Sequence, residues 1–339
     1  MPGRAPTRTR ASTAAGKPDP RREIHEFITL RDALRYAVST FRAAGLHFGH
    51  GTSTALDEAA FLILESLHLP IDDFNAFADA RLTARERTLL GERIALRVDQ
   101  RLPAAYLTGR AYLGGVPFRC DKRALVPRSY IAELLRSALF DGSDDGTGLV
   151  ADPQALGSVL DLCTGGGSLA ILAAYAFPNA TVDAVDLSAE ALALAAENVS
   201  DHGLEDRVRL IEGDLFAPLA GRRYDLILTN PPYVGRAVME RLPPEYRHEP
   251  AMALASGEDG FDLVHRILAA AADHLEPDGG LLCEIGEDRD ILEAAYPRTP
   301  FLWLDTARSD GEVFWLTSRE LQTISARSTD KPRSRKRAT

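Results

Sequence analysis

Four consecutive residues, Asn230-Pro231-Pro232-Tyr233, carry a specific chemical capability. A planar NH2 group joined to a ring or a carbonyl is a poor nucleophile, because its lone pair is conjugated. Two acceptors in the plane of that group can hold its protons and turn the nitrogen's face toward an electrophile. The side-chain oxygen of Asn230 and the backbone carbonyl of Pro231 are suited to this. Pro231 and Pro232 restrict the backbone, so the carbonyl cannot swing away. Tyr233 can cover one face of the planar group. No strong base is required, since the nitrogen becomes acidic as it is alkylated, and catalysis reduces to alignment and electrostatics. The same residue types also build plain rigid turns, so their surroundings must decide.

A second set of residues could hold the electrophile. Asp161-Leu162-Cys163-Thr164-Gly165-Gly166-Gly167 lies where a strand meets a helix. Glycines there let the backbone approach a ligand and leave the helix N-terminus open. The spacing is not G-x-G-x-x-G, which disfavours a pyrophosphate turn. A carboxylate at Asp161 suits the cationic amine of S-adenosylmethionine better than a phosphate. Asp186, 25 residues after Asp161, can accept both protons of a ribose diol, or it or Ser188 can cap the next helix. Asp214, in Gly213-Asp214-Leu215-Phe216, can accept from an adenine amine, with Leu215 and Phe216 near the ring. The predicted cofactor set is Asp161, Cys163, Thr164, Gly165, Gly167, Asp186, Leu187, Asp214, Leu215 and Asn230. Three such strand ends in succession, on the edge where open αβ sheets bind ligands, outweigh the separate turn and cap readings.

The elements that must position these residues alternate. Strands are predicted at 159–163, 181–187, 208–213, 224–229, 280–285, 301–305 and 313–316, with helices at 169–177, 189–202 and 261–274. This order predicts an α/β, doubly wound, largely parallel sheet. Residues 306–312 leave no room for a helix, so the last two strands should pair antiparallel. That reversed C-terminal hairpin marks a Rossmann-like class I methyltransferase sheet rather than a dinucleotide-binding one. Upstream, residues 23–102 read as a small helical bundle for recognition or packing. Leu30, Leu34, Ala37, Val38 and Phe41 share one face, as do Ala59, Leu62 and Ile63. Leu90, Ile94 and Val98 follow a Thr83/Glu86 capping box. Residues 103–156 are predicted to be a linker: a hairpin turning at Gly114-Gly115, with Tyr106 and Val126 among its β-prone residues, then a helix over 131–139 and a flexible loop at 141–148. The catalytic domain then spans 157–318, between basic, disordered tails at 1–22 and 319–339.

Composition narrows the function. The hydrophobic fraction is 45%, and no window approaches the ~18 uninterrupted apolar residues of a membrane helix. Cys120, Cys163 and Cys283 show no metal or disulfide spacing, and the histidines show no H-E-x-x-H, so a metal site is not expected and a reducing cytoplasm is. A net charge of −10 disfavours a protein that wraps bare nucleic acid. Against that balance, Arg4, Arg8, Arg10, Lys17, Arg21 and Arg22 cluster at the start, and Lys331, Arg333, Arg335, Lys336 and Arg337 at the end. They are either solubilising or a loose tether to ribosomal RNA.

With these residues in view, the chain resembles the protein-glutamine N5-methyltransferases over residues 25–318. Matching segments include Phe48-Gly-His-Gly-Thr52, Leu125-Val-Pro-Arg-Ser129, Asp161-Leu-Cys-Thr-Gly165, Asn230-Pro-Pro-Tyr-Val234 and Glu245-Tyr-Arg-His-Glu-Pro250. Ser129 and Ser256-Gly257 resemble the branch acting on large-subunit ribosomal protein L-three more than the release-factor branch. The resemblance implies S-adenosylmethionine as donor and a protein glutamine amide as acceptor, held by Asn230 and Pro231. The chain departs from the family at Gly166, where serine is usual, and at Tyr130, where proline is usual. Two rival functions stay open on these residues. One is an amino-methyltransferase acting on adenine or cytosine, whose NH2 is equally planar; the other is a non-catalytic assembly factor that keeps the fold.

Overall fold

The computed structural model describes residues 19–140, 142, 148–150 and 152–328. A two-residue turn at Gly114-Gly115, both in left-handed backbone, joins β1 (Arg110–Leu113) to β2 (Val116–Arg119). The main sheet comprises β3 (Ser158–Leu162), β4 (Thr181–Asp186), β5 (Val208–Glu212), β6 (Tyr224–Thr229), β7 (Leu275–Glu284), β8 (Leu302–Thr306) and β9 (Ser309–Thr317). Their spatial order is β5-β4-β3-β6-β7-β9-β8. The first five pair in parallel, while β9 inserts antiparallel between β7 and β8. The predicted reversed hairpin is therefore present, and the chain is a class I methyltransferase-like α/β protein with an added helical region.

Central strands buried on both faces need apolar residues at nearly every position. In β6, Leu226 and Leu228 pack into one core, while Tyr224 and Ile227 pack into the other. β7 begins at Leu275, upstream of the predicted 280, because Leu275 pairs with Tyr224 across a bulge. Gly280 in β7 is sterically required: a Cβ there would collide with the ring of Trp315 on β9. Gly280→Ala is expected to destabilise the protein by about 1–3 kcal/mol, read as a lower urea midpoint at constant slope. An unchanged midpoint would show that the indole can be displaced freely.

Several predicted elements differ from the structure. The helix expected over 131–139 is a single turn, Ile131–Leu134. The Ser137 hydroxyl donates to the Leu134 carbonyl at 2.7 Å and accepts from the Leu139 N–H, taking over the backbone partners of a longer helix. Tyr106, read as β-prone, lies in the helical segment Ala104–Thr108, which follows Pro103 and ends at left-handed Gly109. The inner residues of both predicted basic tails are helical. Pro20–Glu23 forms a helical turn capped by Asp19, and Arg21 contacts Asp99 at 3.4 Å. Ser318–Ser328 is a helix whose Leu321 and Ile324 are buried in the core. Thr317 and Glu320 begin it with reciprocal hydrogen bonds, a capping box spelled Thr-Ser-Arg-Glu. The remaining tail residues, with Arg4, Arg8, Arg10 and Lys17 at one end and Lys331 to Arg337 at the other, lie outside the described residues. So does most of the loop predicted at 141–148.

The helical region holds Leu30–Ala43, Ala55–Ser66 and Ala84–Asp99, and the last starts at the predicted Thr83/Glu86 box. Its docking onto the catalytic region centres on fully buried Arg97. That guanidinium donates to Glu58 at 2.6 Å, to the His47 carbonyl at 2.7 Å and to Glu245 at 3.4 Å. Arg101 adds a 3.2 Å bond to Glu245, whose Oε1 also accepts from the His47 N–H. The two regions thus meet through a buried ion network at the segment that follows the Asn-Pro-Pro-Tyr motif. In it Glu245 accepts through Oε1 alone, and its Oε2 has no partner among the described residues.

Candidate active site

The C-terminal edge of the sheet opens into a cavity lined by Cys163, Gly165, Asp186, Leu187, Asp214, Leu215, Asn230 and Pro232. Arg123, Ala124 and Leu125 also line it, as do Pro250, Met252 and Ala253. The parallel strands β3, β4 and β6 end here, so residues far apart in the chain converge. Among the described non-glycine residues, Cys163 and Leu215 both have left-handed backbone and both face this cavity. Such backbone costs roughly 1–2 kcal/mol per residue, and it turns each strand end sharply around the opening.

Asp161 lies beneath the cavity rather than on its wall. It is fully buried; Oδ2 accepts from the Thr164 hydroxyl at 2.5 Å, while Oδ1 has no partner in the described structure. Burial pushes its pKa up to about 7; the Thr164 and Ala170 hydrogen bonds oppose the rise and nearby Asp186 adds to it. An unpaired carboxylate oxygen in low dielectric calls for a cationic or donor group. Asp186 is pinned from two sides, Oδ2 by the Gly165 N–H at 2.8 Å and Oδ1 by the Ser188 N–H at 2.9 Å. Each oxygen keeps a further lone pair, as a diol would require. The helix cap falls to Ser188, whose hydroxyl accepts from Ala191 N–H.

The other predicted residues separate. Gly167 does not line the cavity; it is left-handed, and a Cβ there would sit 3.1 Å from Ala195, so its role is close helix packing. Gly166 has room for a side chain, with Leu194 at 3.5 Å, so the usual serine would fit. Asp214 is half-exposed and paired with Arg266 at 2.7 Å. Leu215 faces the cavity, but Phe216 does not: it stacks on His274 at 4.6 Å and belongs to the core. The expectation that Phe216 packs on a ligand ring is therefore corrected, because successive residues at the strand end point in different directions.

Asn230 is held through both protons of its amide. Its Nδ2 donates to the Arg128 carbonyl at 3.2 Å and to Glu284 Oε1 at 3.0 Å. Both partners are acceptors, which assigns the NH2 to that side and leaves Oδ1 for the cavity that Asn230 lines. Glu284 ends β7, beside β6, and is fully buried. Its Oε2 accepts from the Ser129 hydroxyl at 2.5 Å and the Tyr130 N–H at 2.8 Å. Burial raises its pKa to about 7 against these hydrogen bonds. Of the predicted catalytic residues, Asn230 and Pro232 line the cavity, whereas Pro231, which is buried, and Tyr233 are absent from its wall. The Tyr233 ring lies against Gly286, where a Cβ would come within 3.1 Å, and the Tyr233 carbonyl lies against Gly260. Burial raises the Tyr233 phenol's pKa, so the ring is neutral.

Three residues behind Asn230 were not predicted as site residues: Arg128, its ion-pair partner Glu249, and Glu284. The first two sat in segments that carry the family likeness, without a role. Glu284 had a legible signal, a carboxylate closing the apolar run Leu281-Leu282-Cys283.

A reversed seven-stranded sheet with an anchored asparagine at the end of its fourth main-sheet strand defines a methyltransferase. Residues 140–242 match the methyltransferase small domain family. A ribosomal protein uL3 glutamine methyltransferase of Bradyrhizobium diazoefficiens is 56% identical over 296 residues, 87% of this chain and 92% of the relative. Its namesake from Bordetella pertussis is 53% identical over 88% of this chain and 98% of its own. One from Neisseria meningitidis is 50% identical over 87% and 95%. The chain belongs to the ribosomal protein uL3 glutamine methyltransferase family.

Proposed function

We propose that the chain moves a methyl group from S-adenosylmethionine to the side-chain nitrogen of a glutamine in ribosomal protein uL3. One observation carries this reading: both donors of Asn230 are tied down, so its remaining oxygen is an acceptor aimed at whatever enters the cavity. S-adenosylmethionine supplies an electrophilic methyl group when bound. Asp161, beneath the cavity, would attract its ammonium by charge, and Asp186 would hold its ribose hydroxyls. Leu187, Leu215 and Asp214 would border its base, and Cys163, Thr164 and Gly165 would shape the turn around it.

The glutamine amide is poorly nucleophilic, and the chain's task is to orient it. Asn230 Oδ1 and the Pro231 carbonyl accept its two protons and set its plane. As the nitrogen gains positive charge, both acceptors interact with it more strongly than in the ground state, which is the differential binding that catalysis needs. Asn230 does not take the proton; water can remove it once the nitrogen is acidic.

The identity of the substrate protein rests on the named relatives, because an anchored asparagine serves a base amine equally well. Incubating the purified chain with labelled methyl donor should label unmodified uL3 at glutamine, as read by mass spectrometry. Label confined to a release factor, or to nuclease-sensitive material, would overturn the substrate assignment.

A further inference from the structure

The Asn230 amide has a weakness that the structure compensates from a distance. The last torsion of an asparagine joins sp3 to sp2 carbon and has broad minima, so the amide plane turns easily unless it is held. Two anchors hold it here, Glu284 at 3.0 Å and the Arg128 carbonyl at 3.2 Å. Glu284 is fastened within the sheet. Arg128 sits in the segment between β2 and the Ile131–Leu134 turn and needs its own support.

Glu249 provides it. Its buried carboxylate takes both arms of the Arg128 guanidinium at 2.8 Å each and accepts from the Val126 N–H at 3.0 Å. The fork-to-fork geometry fixes direction as well as distance. Burial works against the ionised Glu249, but its close contacts with His50 and Arg128 prevail and hold its pKa at about 2. His50 reaches in from the helical region. Its Nε2 lies 3.4 Å from Glu249 Oε2, and its ring lies 4.5 Å from Tyr246. The Arg128 guanidinium lies over the same tyrosine ring at 5.5 Å. Neither His50 nitrogen makes an aligned hydrogen bond in the described structure, and His50, Arg128 and Glu249 are all absent from the cavity wall.

We propose that Glu249 and His50 are positioning residues for methyl transfer: acting through Arg128, they set the plane of the Asn230 amide, so that the helical region must be docked for the acceptor to be aligned. This rests on Asn230 receiving the substrate amide, as proposed above. It assigns the helical region a part in alignment in addition to any part in recognition. A misalignment of the order of 1 Å at a reacting group can cost about a hundredfold in rate, so small slips of Arg128 matter.

The test uses the full chain, with Glu249→Gln and His50→Gln. Both keep side-chain volume; the first removes the charge and one of the fork's acceptors, the second removes the imidazole brace. Four quantities are measured: kcat and KM with uL3, cofactor Kd by calorimetry, and the Asn230 Nδ2 resonances, assigned by their loss in Asn230→Asp. The expected result is a kcat lower by about a hundredfold for Glu249→Gln and about tenfold for His50→Gln. KM and cofactor Kd should stay within about twofold, and the Asn230 resonances should move in both variants. Unchanged kcat, a rise in KM alone, or a lower kcat with unmoved Asn230 resonances would each overturn the proposal. If Glu249→Gln fails to fold, His50→Gln decides the matter by the same readings. A wild-type chain that transfers nothing to uL3 would sink the substrate reading instead. The resonance shifts would still test the path from His50 to Asn230.

Discussion

Asn230→Ala is expected to lower kcat by on the order of a thousandfold while leaving cofactor affinity within about twofold. Alanine removes the oxygen that would accept one proton of the substrate amide. It also strips buried Glu284 of the donor at Oε1 that Asn230 supplies at 3.0 Å. A buried acceptor left without its partner costs about 1–3 kcal/mol, so a modest fall in stability accompanies the loss of rate. Asn230→Asp separates the two effects. It keeps the acceptor and the shape but sets a second carboxylate against Glu284, and with no donor between them the pair repels. Single-turnover kinetics, calorimetry and thermal melts on both variants distinguish the outcomes. Near-normal transfer by Asn230→Ala would refute its place in the reaction. Loss of cofactor binding would move Asn230 from acceptor alignment to cofactor support.

Cofactor affinity should weaken as pH falls below about 7, and Asp161 should be the cause. Burial sets the Asp161 carboxyl at about 7, with Asp186 contributing and the Thr164 and Ala170 hydrogen bonds opposing. A cationic ligand needs the carboxylate, so below that pH each binding event must expel a proton, and Kd rises by up to about tenfold per pH unit. The stability of the ligand-free protein runs the other way. A carboxyl whose folded pKa lies above its unfolded value contributes stability in full below the unfolded value and loses it as pH rises through the folded one. From 3.8 to about 7, this amounts to about 4 kcal/mol, lost by pH 8. Asp161→Asn removes the titration. It should melt higher than wild type at pH 8 without ligand, and bind S-adenosylmethionine at least about a hundredfold more weakly at that pH. Glu284, also at about 7, remains in the variant and contributes its own pH dependence, so the comparison is made at fixed pH. Equal Kd at pH 6 and pH 8 would show that Asp161 does not meet the ligand's charge.

Local chemistry makes much of this fold legible in the sequence. Thr83 with Glu86 announces a helix start, Gly114-Gly115 a hairpin turn, and seven residues between two strands an antiparallel return. Each of these signals lies within a few residues, where propensity and spacing act directly. The same kind of signal is present at Thr317-Ser-Arg-Glu320, where the basic composition that follows it masks the helix. The 131–134 turn is overextended by hydrophobic periodicity, which does not register how Ser137 competes for backbone partners.

The succession of strands and helices, the reversed hairpin and the Asn-Pro-Pro-Tyr segment at a strand end were all legible in the sequence alone. They were legible because strand polarity and turn length follow from short stretches of chain. Which atom of Asn230 is left free for the cavity depends on tertiary packing. That choice depends on Arg128 and Glu284, 102 and 54 residues away, whose two acceptor oxygens leave the amide a single satisfied orientation. Packing also placed Asp161 beneath the cavity with one oxygen unpaired, and Phe216 in the core rather than against a ligand. Burial and side-chain direction are properties of packing, which no local spacing encodes.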